Sequence, residues 1–372
     1  MKILHIITSL GRGGAESILS SLVINDKTNQ HIVIVLKSKE EYGGIFVDSN
    51  ILVYELKIHG WISGIKGVVN LYSHLRLINP DVVQTWLFHA DIIGGIVAKI
   101  SGVQKIFWGA HSANIELLPF ATRIVVRCCS ILSHFIPDKI ICCAKSSQQL
   151  LSDNFYSVGK LTTINNGYDI KKFTFDGDRL DIKTIDHSLK SNNFLIGFVA
   201  RWDVHKDIPM LLNALRICTA SVDNIRCLFV GNNLDVNNTE LTKLIKDAGL
   251  IKNIILLGHM SNVSSFMRTI DLCVLSSVSE AFPNVIVESM LCGTPCVSTE
   301  VGDVVNIIGE TGWISSPLDS KALAASVILA ANEKVGDVTT WNLRREKCRN
   351  RAVKNFSLDR MINNYIKVWS NL

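Results

Sequence analysis

The chain has 372 residues, of which 48% are hydrophobic and 19% charged, and its formal net charge is +5. This composition excludes a disordered chain, the length fits two domains of ordinary size, and the dispersed charge disfavours nucleic acid as a partner. No run approaches the roughly 18 apolar residues of a membrane span, and the N-terminus lacks the cleavage site of a secretory signal. The ten cysteines form neither a C-x-x-C pair nor a zinc-ligand cluster. We therefore expect reduced thiols in the cytosol and no metal site.

Short apolar strands alternate with helices through the first half of the chain, which predicts an α/β fold with a parallel sheet. The first strand, residues 2–8, is followed by the turn G-R-G-G-A-E at 11–16 and by an amphipathic helix from about residue 17. The turn departs from the dinucleotide fingerprint because the third glycine would fall on Glu16, and the next strand ends in Lys37 rather than in an acidic residue. The pattern disfavours a nicotinamide cofactor and leaves open a phosphate loop or a simple tight turn.

Two histidines follow later strands of the same half. Functional groups of parallel sheets lie at the carboxyl ends of the strands, and His89 and His111 come after the strands expected at 82–85 and 105–108. A lone histidine is usually structural, which is our interpretation of His89, whereas His111 is a candidate site residue. Further elements of this half are expected at 65–78, 90–101, 122–136, 140–144 and 161–166.

A polar segment at 175–193 shows no periodicity, and we interpret it as a linker to a second half that repeats the architecture. The first strand there, 195–200, ends in R-W-D-V-H-K-D, so Arg201 and Lys206 follow a strand. A guanidinium can bind phosphate oxygens in a fork while an ammonium acts as a point charge, so the pair predicts a phosphate site. A run of five cations at 344–354 is expected to be a solvated helix face. Further elements are expected at 227–231, 254–257, 272–275, 296–298, 318–331 and 358–369.

The stretch 276–299, SSVSEAFPNVIVESMLCGTPCVST, is the most informative in the chain. Pro283 is suited to a first helical turn and Gly293 to a helix end, so a short helix between two strands is predicted. Backbone N–H groups from Asn284 onward would form an anion site at the positive end of the helix dipole. Glu280 before the helix and Glu288 within it can accept hydrogen bonds from sugar hydroxyls. A diphosphate at the helix tip, with Glu288 at the ribose and Glu280 at the transferred sugar, would suit a nucleotide-sugar. Taken alone, Glu280 is more simply a solvated loop residue and Glu288 a residue on the polar face of the helix.

Four segments resemble the retaining glycosyltransferases of family 4. The string E-A-F-P-N-V-I-V-E-S-M-L-C-G-T-P resembles the family signature E-G-F-P-N-V-x-x-E-A-M-A-x-G-x-P, with departures at Ala281 and Ser289 that keep small side chains. The turn G-R-G-G-A-E resembles the G-x-G-G-A-E loop that lies near the donor phosphates and the acceptor. The spacing from Arg201 to Lys206 resembles the R-x-x-x-x-K pair that holds the donor diphosphate. His111, in W-G-A-H-S-A-N, matches the position of a histidine near the donor sugar.

The resemblance implies a GT-B fold, in which two Rossmann-like parallel-sheet domains face each other across a cleft. Residues 1–175, with 356–372 packing back on them, would bind the acceptor, and residues 190–355 the nucleotide-sugar. The expected catalytic residues are His111, Arg201, Lys206 and Glu280. The expected donor-binding residues are Gly13, Gly14, Arg201, Lys206, Glu280, Phe282, Pro283, Asn284, Val285 and Glu288.

The implied activity is transfer of a hexosyl unit from a nucleotide-sugar, UDP-linked by expectation, to a hydroxyl of a glycan with retention at the anomeric carbon. No D-x-D motif stands in a suitable place, so charge on the leaving diphosphate would be neutralised without a metal, and no cofactor is expected. A UDP-sugar epimerase of the same fold and a non-catalytic nucleotide-sugar-binding subunit remain alternatives.

The resemblance extends to enzymes that build O-antigen or capsule, which makes a lipid-linked glycan the expected acceptor. The chain is apolar, with a mean hydropathy of +0.27, and cations interrupt the apolar stretches 61–76 and 122–136. We therefore expect a cytoplasmic protein that lies peripherally on the anionic inner face of the membrane. The alternative is that both helices are buried in the core of the first domain.

Overall fold

The computed structural model describes residues 1–11, 13–58, 60–112 and 114–371. Arg12 of the glycine-rich turn and Ala113 of the W-G-A-H-S-A-N segment lie outside the described residues. The chain divides into two compact units, which we call unit 1 (Met1–Gly167 and Leu358–Leu372) and unit 2 (Tyr168–Ser357). Each unit is built around one parallel sheet.

Unit 1 contains a seven-stranded sheet. Its strands are β1 (Lys2–Ile7), β2 (Gln30–Val35), β3 (Leu52–Glu55), β4 (Val82–Trp86), β5 (Lys105–Ala110), β6 (Lys139–Cys142) and β7 (Leu161–Thr163). All neighbouring pairs are parallel, in the order β3-β2-β1-β4-β5-β6-β7. The direction of winding reverses between β1 and β4, and ligands of such sheets bind outside the carboxyl ends of the strands at this reversal.

Helices cover both faces of this sheet, which explains why its strands read as nearly continuous apolar runs. They are α1 (Gly14–Asn25), α2 (Glu40–Asp48), α3 (Trp61–Ile78), α4 (Phe88–Ile100), α5 (Phe120–Ser133) and α6 (Lys145–Asp153). One core cluster contains residues of α3, α4 and α5, and the other contains residues of α1. α1 begins three residues before the predicted start because Gly13 is its N-cap.

Unit 2 repeats the design with six strands. They are β8 (Phe194–Val199), β9 (Ile225–Val230), β10 (Ile254–Gly258), β11 (Leu272–Leu275), β12 (Cys296–Thr299) and β13 (Trp313–Ser315), parallel in the order β10-β9-β8-β11-β12-β13. The winding reverses between β8 and β11, so the carboxyl ends of these two strands mark the expected ligand position. The helices are α7 (Ile182–Ile185), α8 (Ile208–Ser221), α9 (Thr239–Asp247), α10 (Val263–Thr269), α11 (Asn284–Leu291), α12 (Val304–Ile308), α13 (Ser320–Gly336) and α14 (Val338–Phe356).

The two unit boundaries differ from the predicted domain limits. The segment interpreted as a linker belongs to unit 2, where the Arg268 guanidinium donates to the carbonyls of Asp178 (2.9 Å) and Thr174 (3.3 Å). The last helix, α15 (Leu358–Ser370), belongs to unit 1, and its Tyr365 and Trp369 are fully buried there. The chain therefore enters unit 2 at residue 168 and leaves it at residue 357.

Candidate active site

The loop before α11 and the first turn of that helix form the candidate phosphate site of unit 2. Pro283 is the N-cap of α11 rather than its first helical residue. The first N–H groups of a helix have no partner within it and carry the positive end of its dipole. Phe282 is buried against the edge of Phe356 at 5.6 Å between ring centroids, and the Tyr168 hydroxyl donates to the Asn284 side chain (2.5 Å). The approach to the helix tip is thus held in one conformation.

The carboxyl end of α11 is held by arginines of α14. Arg345 donates to the carbonyl of Gly293 (2.9 Å), and Arg349 donates to the carbonyl of Leu291. Cations beside the last carbonyls of a helix oppose the negative end of its dipole. The prediction of a solvated face at 344–354 is therefore wrong, because these guanidinium groups bind backbone carbonyls within unit 2.

Lys206 and Glu280 form an ion pair between two loops of unit 2. Lys206 ends a short 3₁₀ turn after β8, and the Ser277 hydroxyl donates to the same carboxylate (2.8 Å). The two loops are also joined through the backbone, where the Val278 N–H donates to the carbonyl of His205 (2.9 Å). The side chains of Lys206 and Glu280 are 20% and 16% exposed, so the pair is partly desolvated yet reachable by a ligand.

Arg201 lies at the start of the same exit loop. Its Nε donates to the Asp203 carboxylate (2.8 Å), and the arginine side chain is 64% exposed. An exposed ion pair contributes little to stability, so a diphosphate could replace Asp203 as the partner of the guanidinium at small cost. Gly231 is required beside this loop, because its φ is +142° and a Cβ there would overlap the carbonyl of Ala200.

Glu288 lies within α11, where it is half-buried. Burial raises the pKa of its carboxyl to about 7, although nearby Lys172 acts in the opposite direction. A carboxyl with a pKa shifted to neutrality by desolvation is a functional candidate. Its ionised form would accept two hydrogen bonds, as a ribose diol offers.

Gly302 is a supporting residue of this site that the sequence analysis missed. Its φ is +54°, and a Cβ there would overlap the carbonyls of Glu280 and Ala281. The Asp303 N–H donates to the carbonyl of Ala281 (3.3 Å). The signal in the sequence is the turn E-V-G-D directly after β12, which places a glycine between a strand and a helix.

In unit 1, His111 follows β5, as predicted, and its ring stacks on Trp86 with 5.2 Å between centroids and 22° between planes. Burial lowers the pKa of its imidazole to about 4, so the ring is neutral at physiological pH. Its Nε2 is buried and has no hydrogen-bond partner among the described residues. A buried polar atom left unpaired costs about 1–3 kcal/mol, so this nitrogen is suited to a bond with a ligand.

The glycine-rich turn lies at the start of α1, with Gly13 as N-cap and Gly14 as first helical residue. A Cβ on Gly13 would overlap the carboxylate of Glu16. This negative charge lies at the positive end of the helix, so an anion that binds at this turn must displace the Glu16 side chain. The predicted contact of Gly13 and Gly14 with the donor stays a prediction.

Unit 2 therefore brings most of the predicted residues to the carboxyl end of its sheet, and unit 1 holds the rest at the carboxyl end of its own. No group of three or more His, Cys, Asp or Glu side chains in the described ranges is arranged to hold a metal ion. The residues in unit 2 are Arg201, Lys206, Glu280, Phe282, Pro283, Asn284, Val285 and Glu288, and those in unit 1 are Gly13, Gly14 and His111.

Known proteins resemble this chain in sequence and in fold. Residues 193–333 match the family model of glycosyl transferases group 1. The chain is 24% identical over 317 residues, 82% of each chain, to the capsular polysaccharide biosynthesis glycosyltransferase CapM of Staphylococcus aureus. It is 24% identical over 304 residues to the UDP-Gal:alpha-D-GlcNAc-diphosphoundecaprenol alpha-1,3-galactosyltransferase of Escherichia coli, covering 80% of this chain and 77% of that one. Its fold matches the crystal structure of Anabaena Alr3699/HepE in complex with UDP, with a TM-score of 0.86 and 21% identity over the full length of both chains.

The two sheets and their loops define the GT-B class of two Rossmann-like α/β domains. Residues 193–333 of unit 2 carry the match to the group 1 glycosyl transferases, and the chain as a whole is similar to glycosyltransferases of capsule and O-antigen synthesis.

Proposed function

We propose that this protein transfers a hexosyl unit from a UDP-sugar to a hydroxyl of a glycan in the synthesis of a bacterial surface polysaccharide. The observation that carries the proposal is the Lys206–Glu280 pair, held between two loops of unit 2 just before the amino end of α11. A cation and helix-tip amides suit a diphosphate, and a carboxylate suits the hydroxyls of a sugar. The relatives from S. aureus and E. coli support the pathway and the UDP-linked donor by their names.

The reaction needs stabilisation of a leaving diphosphate. The bond between the anomeric carbon and the diphosphate oxygen breaks, and the acceptor oxygen bonds to that carbon on the same face. The acceptor proton passes to the departing diphosphate oxygen, and UDP is released. Lys206, Arg201 and the amides at the tip of α11 would neutralise the charge that develops on the leaving group, which is the largest single contribution in many enzymes.

The glutamates and the histidine would bind the ribose and the sugar of the donor. Glu288 would bind the ribose hydroxyls and Glu280 the transferred sugar. His111, neutral because its pKa lies near 4, would offer Nε2 to a sugar hydroxyl. The contact with the sugar would also satisfy a nitrogen that is otherwise buried without a partner.

A panel of nucleotide-sugars tests the proposal, with thermal stabilisation as the binding readout and sugar transfer to a polyprenyl-diphosphate-linked acceptor as the activity readout. We expect stabilisation by one UDP-sugar and transfer from that same donor. Conversion of the free UDP-sugar without transfer would identify an epimerase instead. Stabilisation without any turnover would identify a binding subunit.

We further propose that the acceptor is lipid-linked and that unit 1 meets the membrane through the outer face of α5. Phe120, Ile124 and Ile131 recur at helical spacing along α5 and are 71%, 49% and 66% exposed, and Phe135, in the turn that follows the helix, is 71% exposed. Arginines accompany this apolar face, and the helix carries no acidic residue. Only the inner face of α5 lies in the core, which argues against the alternative of a wholly buried helix.

The stretch at 61–76 offers weaker support. Ile65 and Val69 of α3 are 70% and 58% exposed, while the side chain of Trp61 lies outside the described residues. Within the described ranges, no helix combines the length and the apolar character needed to cross a membrane. An apolar helix face with cations beside it favours binding at the lipid interface, where each cation contributes about 1 kcal/mol on anionic lipid.

Flotation with vesicles tests the membrane contact. Wild-type protein should float with phosphatidylglycerol vesicles at low salt and less so as salt rises, because the cationic share of binding is screened. The double variant Phe120→Ser/Ile131→Ser should stay at the bottom. A matched control, Val236→Ser/Ile251→Ser, changes two residues of unit 2 that are 71% and 62% exposed and should float like wild type. Equal flotation of both variants, or none by wild type, would contradict the proposal.

A further inference from the structure

A chain of hydrogen bonds runs through the buried interior of unit 1 and ends beneath His111. It begins at Asp26, the C-cap of α1, whose carboxylate Oδ2 lies 3.0 Å from Nε2 of His31 on β2. Nδ1 of His31 lies 2.9 Å from Nε2 of His5 on β1, and the two imidazoles are stacked. Asp26, His31 and His5 are only 4%, 5% and 0% exposed.

The direction of each hydrogen bond follows from the groups at the two ends. The Trp86 indole N–H can only donate, and it donates to Nδ1 of His5 (3.2 Å). A neutral His5 then carries its proton on Nε2 and donates to Nδ1 of His31. His31 in turn donates from Nε2 to the Asp26 carboxylate, which can only accept when it is ionised.

The environment of these groups is consistent with that assignment. Burial tends to raise the pKa of Asp26, but hydrogen bonds from Thr28 and Asn29 outweigh it and hold the pKa at about 2. Burial lowers the pKa of His31, and the pKa of His5 is lowered well below its usual range by burial and by the neighbouring His31. One ionised carboxylate and two neutral imidazoles give a chain in which every proton has an acceptor.

The chain fixes the plane of the Trp86 indole. Trp86 is the last residue of β4, and its ring stacks with His111, at 5.2 Å between centroids and 22° between planes, and with Tyr365 of α15, at 6.0 Å and 26°. Rotation of the indole would break its bond to His5 and tilt the surface on which His111 rests. Nε2 of His111 makes no hydrogen bond to the described residues. The orientation of the Nε2 side of the imidazole therefore depends on the stack with Trp86.

We infer that Asp26, His31, His5 and Trp86 are positioning residues that orient His111 for its contact with the donor sugar. The inference rests on the proposed function, because it assigns these residues to the site in which His111 would act. They touch no substrate themselves. Their effect is transmitted by the stack, so it should be seen in turnover and in the state of the His111 ring, and not in the binding of free UDP.

The kinetic test uses Trp86→Phe, which keeps an aromatic ring against His111 and removes the N–H that bonds to His5. The matched control is Trp108→Phe on the neighbouring strand β5, an equally buried tryptophan that belongs to the other core cluster of unit 1. We expect Trp86→Phe to lower kcat about tenfold with unchanged affinity for UDP, while Trp108→Phe leaves kcat near wild type at a similar Tm. An unchanged kcat in folded Trp86→Phe would overturn the inference.

A double-variant cycle identifies the route of the effect. If Trp86 acts through His111, adding Trp86→Phe to His111→Ala should leave kcat unchanged, and His5→Phe should have no further effect in the Trp86→Phe background. The same tenfold loss in the His111→Ala background would mean that Trp86 acts by another route, and the inference would fail.

Nitrogen NMR of histidine-labelled protein separates this inference from the proposed function. The signal of His111 is assigned by its absence in His111→Ala, and that of His5 by its absence in His5→Phe. Wild-type His5 should carry its proton on Nε2, and the His111 resonance should shift in Trp86→Phe but not in Trp108→Phe. This readout needs no substrate. Failure to find a donor would therefore contradict the proposed function, while the hydrogen-bond chain from Asp26 to Trp86 could still be tested. A proton on Nδ1 of His5, or an unmoved His111 signal, would refute the chain itself.

Discussion

The charged candidates of unit 2, Arg201, Lys206 and Glu280, remain within reach of solvent, whereas His111 of unit 1 is neutral and stacked on an aromatic ring. Lys206 is paired with Glu280 in two loops that hydrogen bonds join together. His111 has a pKa near 4 and lies on a fully buried tryptophan. A diphosphate needs opposite charge, while a sugar hydroxyl needs an oriented hydrogen-bonding group, which can be charged or neutral. Under the proposed function, unit 2 would stabilise the charge of the leaving group and unit 1 would orient a neutral hydrogen-bonding group.

We expect the largest loss of turnover when the cation of Lys206 in unit 2 is removed. We expect Lys206→Ala to lower kcat by about 100-fold or more, since loss of one preorganised electrostatic donor has an effect of that order. The measurement is steady-state transfer with the donor found in the panel. Lys243→Ala, a change on α9 outside the site, is the control. Turnover of Lys206→Ala within about threefold of wild type would show that Lys206 does not neutralise the leaving diphosphate.

The pH dependence of UDP affinity should distinguish Glu288 of unit 2 from His111 of unit 1. Because the pKa of Glu288 lies at about 7, its carboxylate is mostly ionised at pH 8 and only about one-tenth ionised at pH 6. If the ionised form holds the ribose, affinity for UDP should fall by up to about tenfold as pH falls across this range. Glu288→Gln should remove that dependence. His111→Gln should leave it in place, because an imidazole with a pKa near 4 does not titrate there.

Two glycines offer a contrast in stability. Gly302→Ala places a Cβ against the backbone of the Glu280 loop at a left-handed φ, so we expect about 2 kcal/mol or more of lost unfolding free energy and reduced turnover. Gly13→Ala meets only the end of the flexible Glu16 side chain at an extended φ of −140°, so its unfolding free energy should change by about 0.5 kcal/mol or less. Denaturant titration of both variants measures the difference, and a reversed order would mean that the 280–302 contact is not rigid.

Chelation should have the smallest effect of all. If Lys206, Arg201 and the α11 amides supply the charge that the diphosphate needs, the transfer rate should be the same with and without EDTA. A loss of activity on chelation that Mg²⁺ or Mn²⁺ restores would require a metal in the charged half and would change the assignment of its residues.

The sequence was sufficient for the features that local rules govern. The strand before Ser276 and the helix holding Glu288 follow from an apolar run, a proline and a glycine in the right order. The alternation of strands and helices likewise predicted a parallel sheet in each half. The strand-end rule made candidates of both His89 and His111, and the resemblance of W-G-A-H-S-A-N to the family segment selected His111, whose role stays a prediction.

Contacts between residues distant in the sequence could not be predicted in this way. The arginines of α14 were interpreted as solvated because composition does not reveal that Arg349 reaches Leu291, 58 positions earlier. The bonds that connect Asp26, His31, His5 and Trp86 depend on the order of β2, β1 and β4 in the sheet, which periodicity does not fix. For the same reason Gly302 became visible only through its overlap with the Glu280 loop.

The distribution of thiols has a practical consequence for studying this enzyme. Of the ten cysteines, all of them among the described residues, Cys128 alone is exposed, and it lies on α5 beside Ile124 and Ile131. Burial raises the pKa of thiols such as Cys218 and Cys292 to about 12, which suppresses the reactive thiolate. An environment-sensitive maleimide dye should therefore label the wild-type chain at one position without any engineered cysteine. Its emission would report in real time whether the outer face of α5 passes from water into lipid.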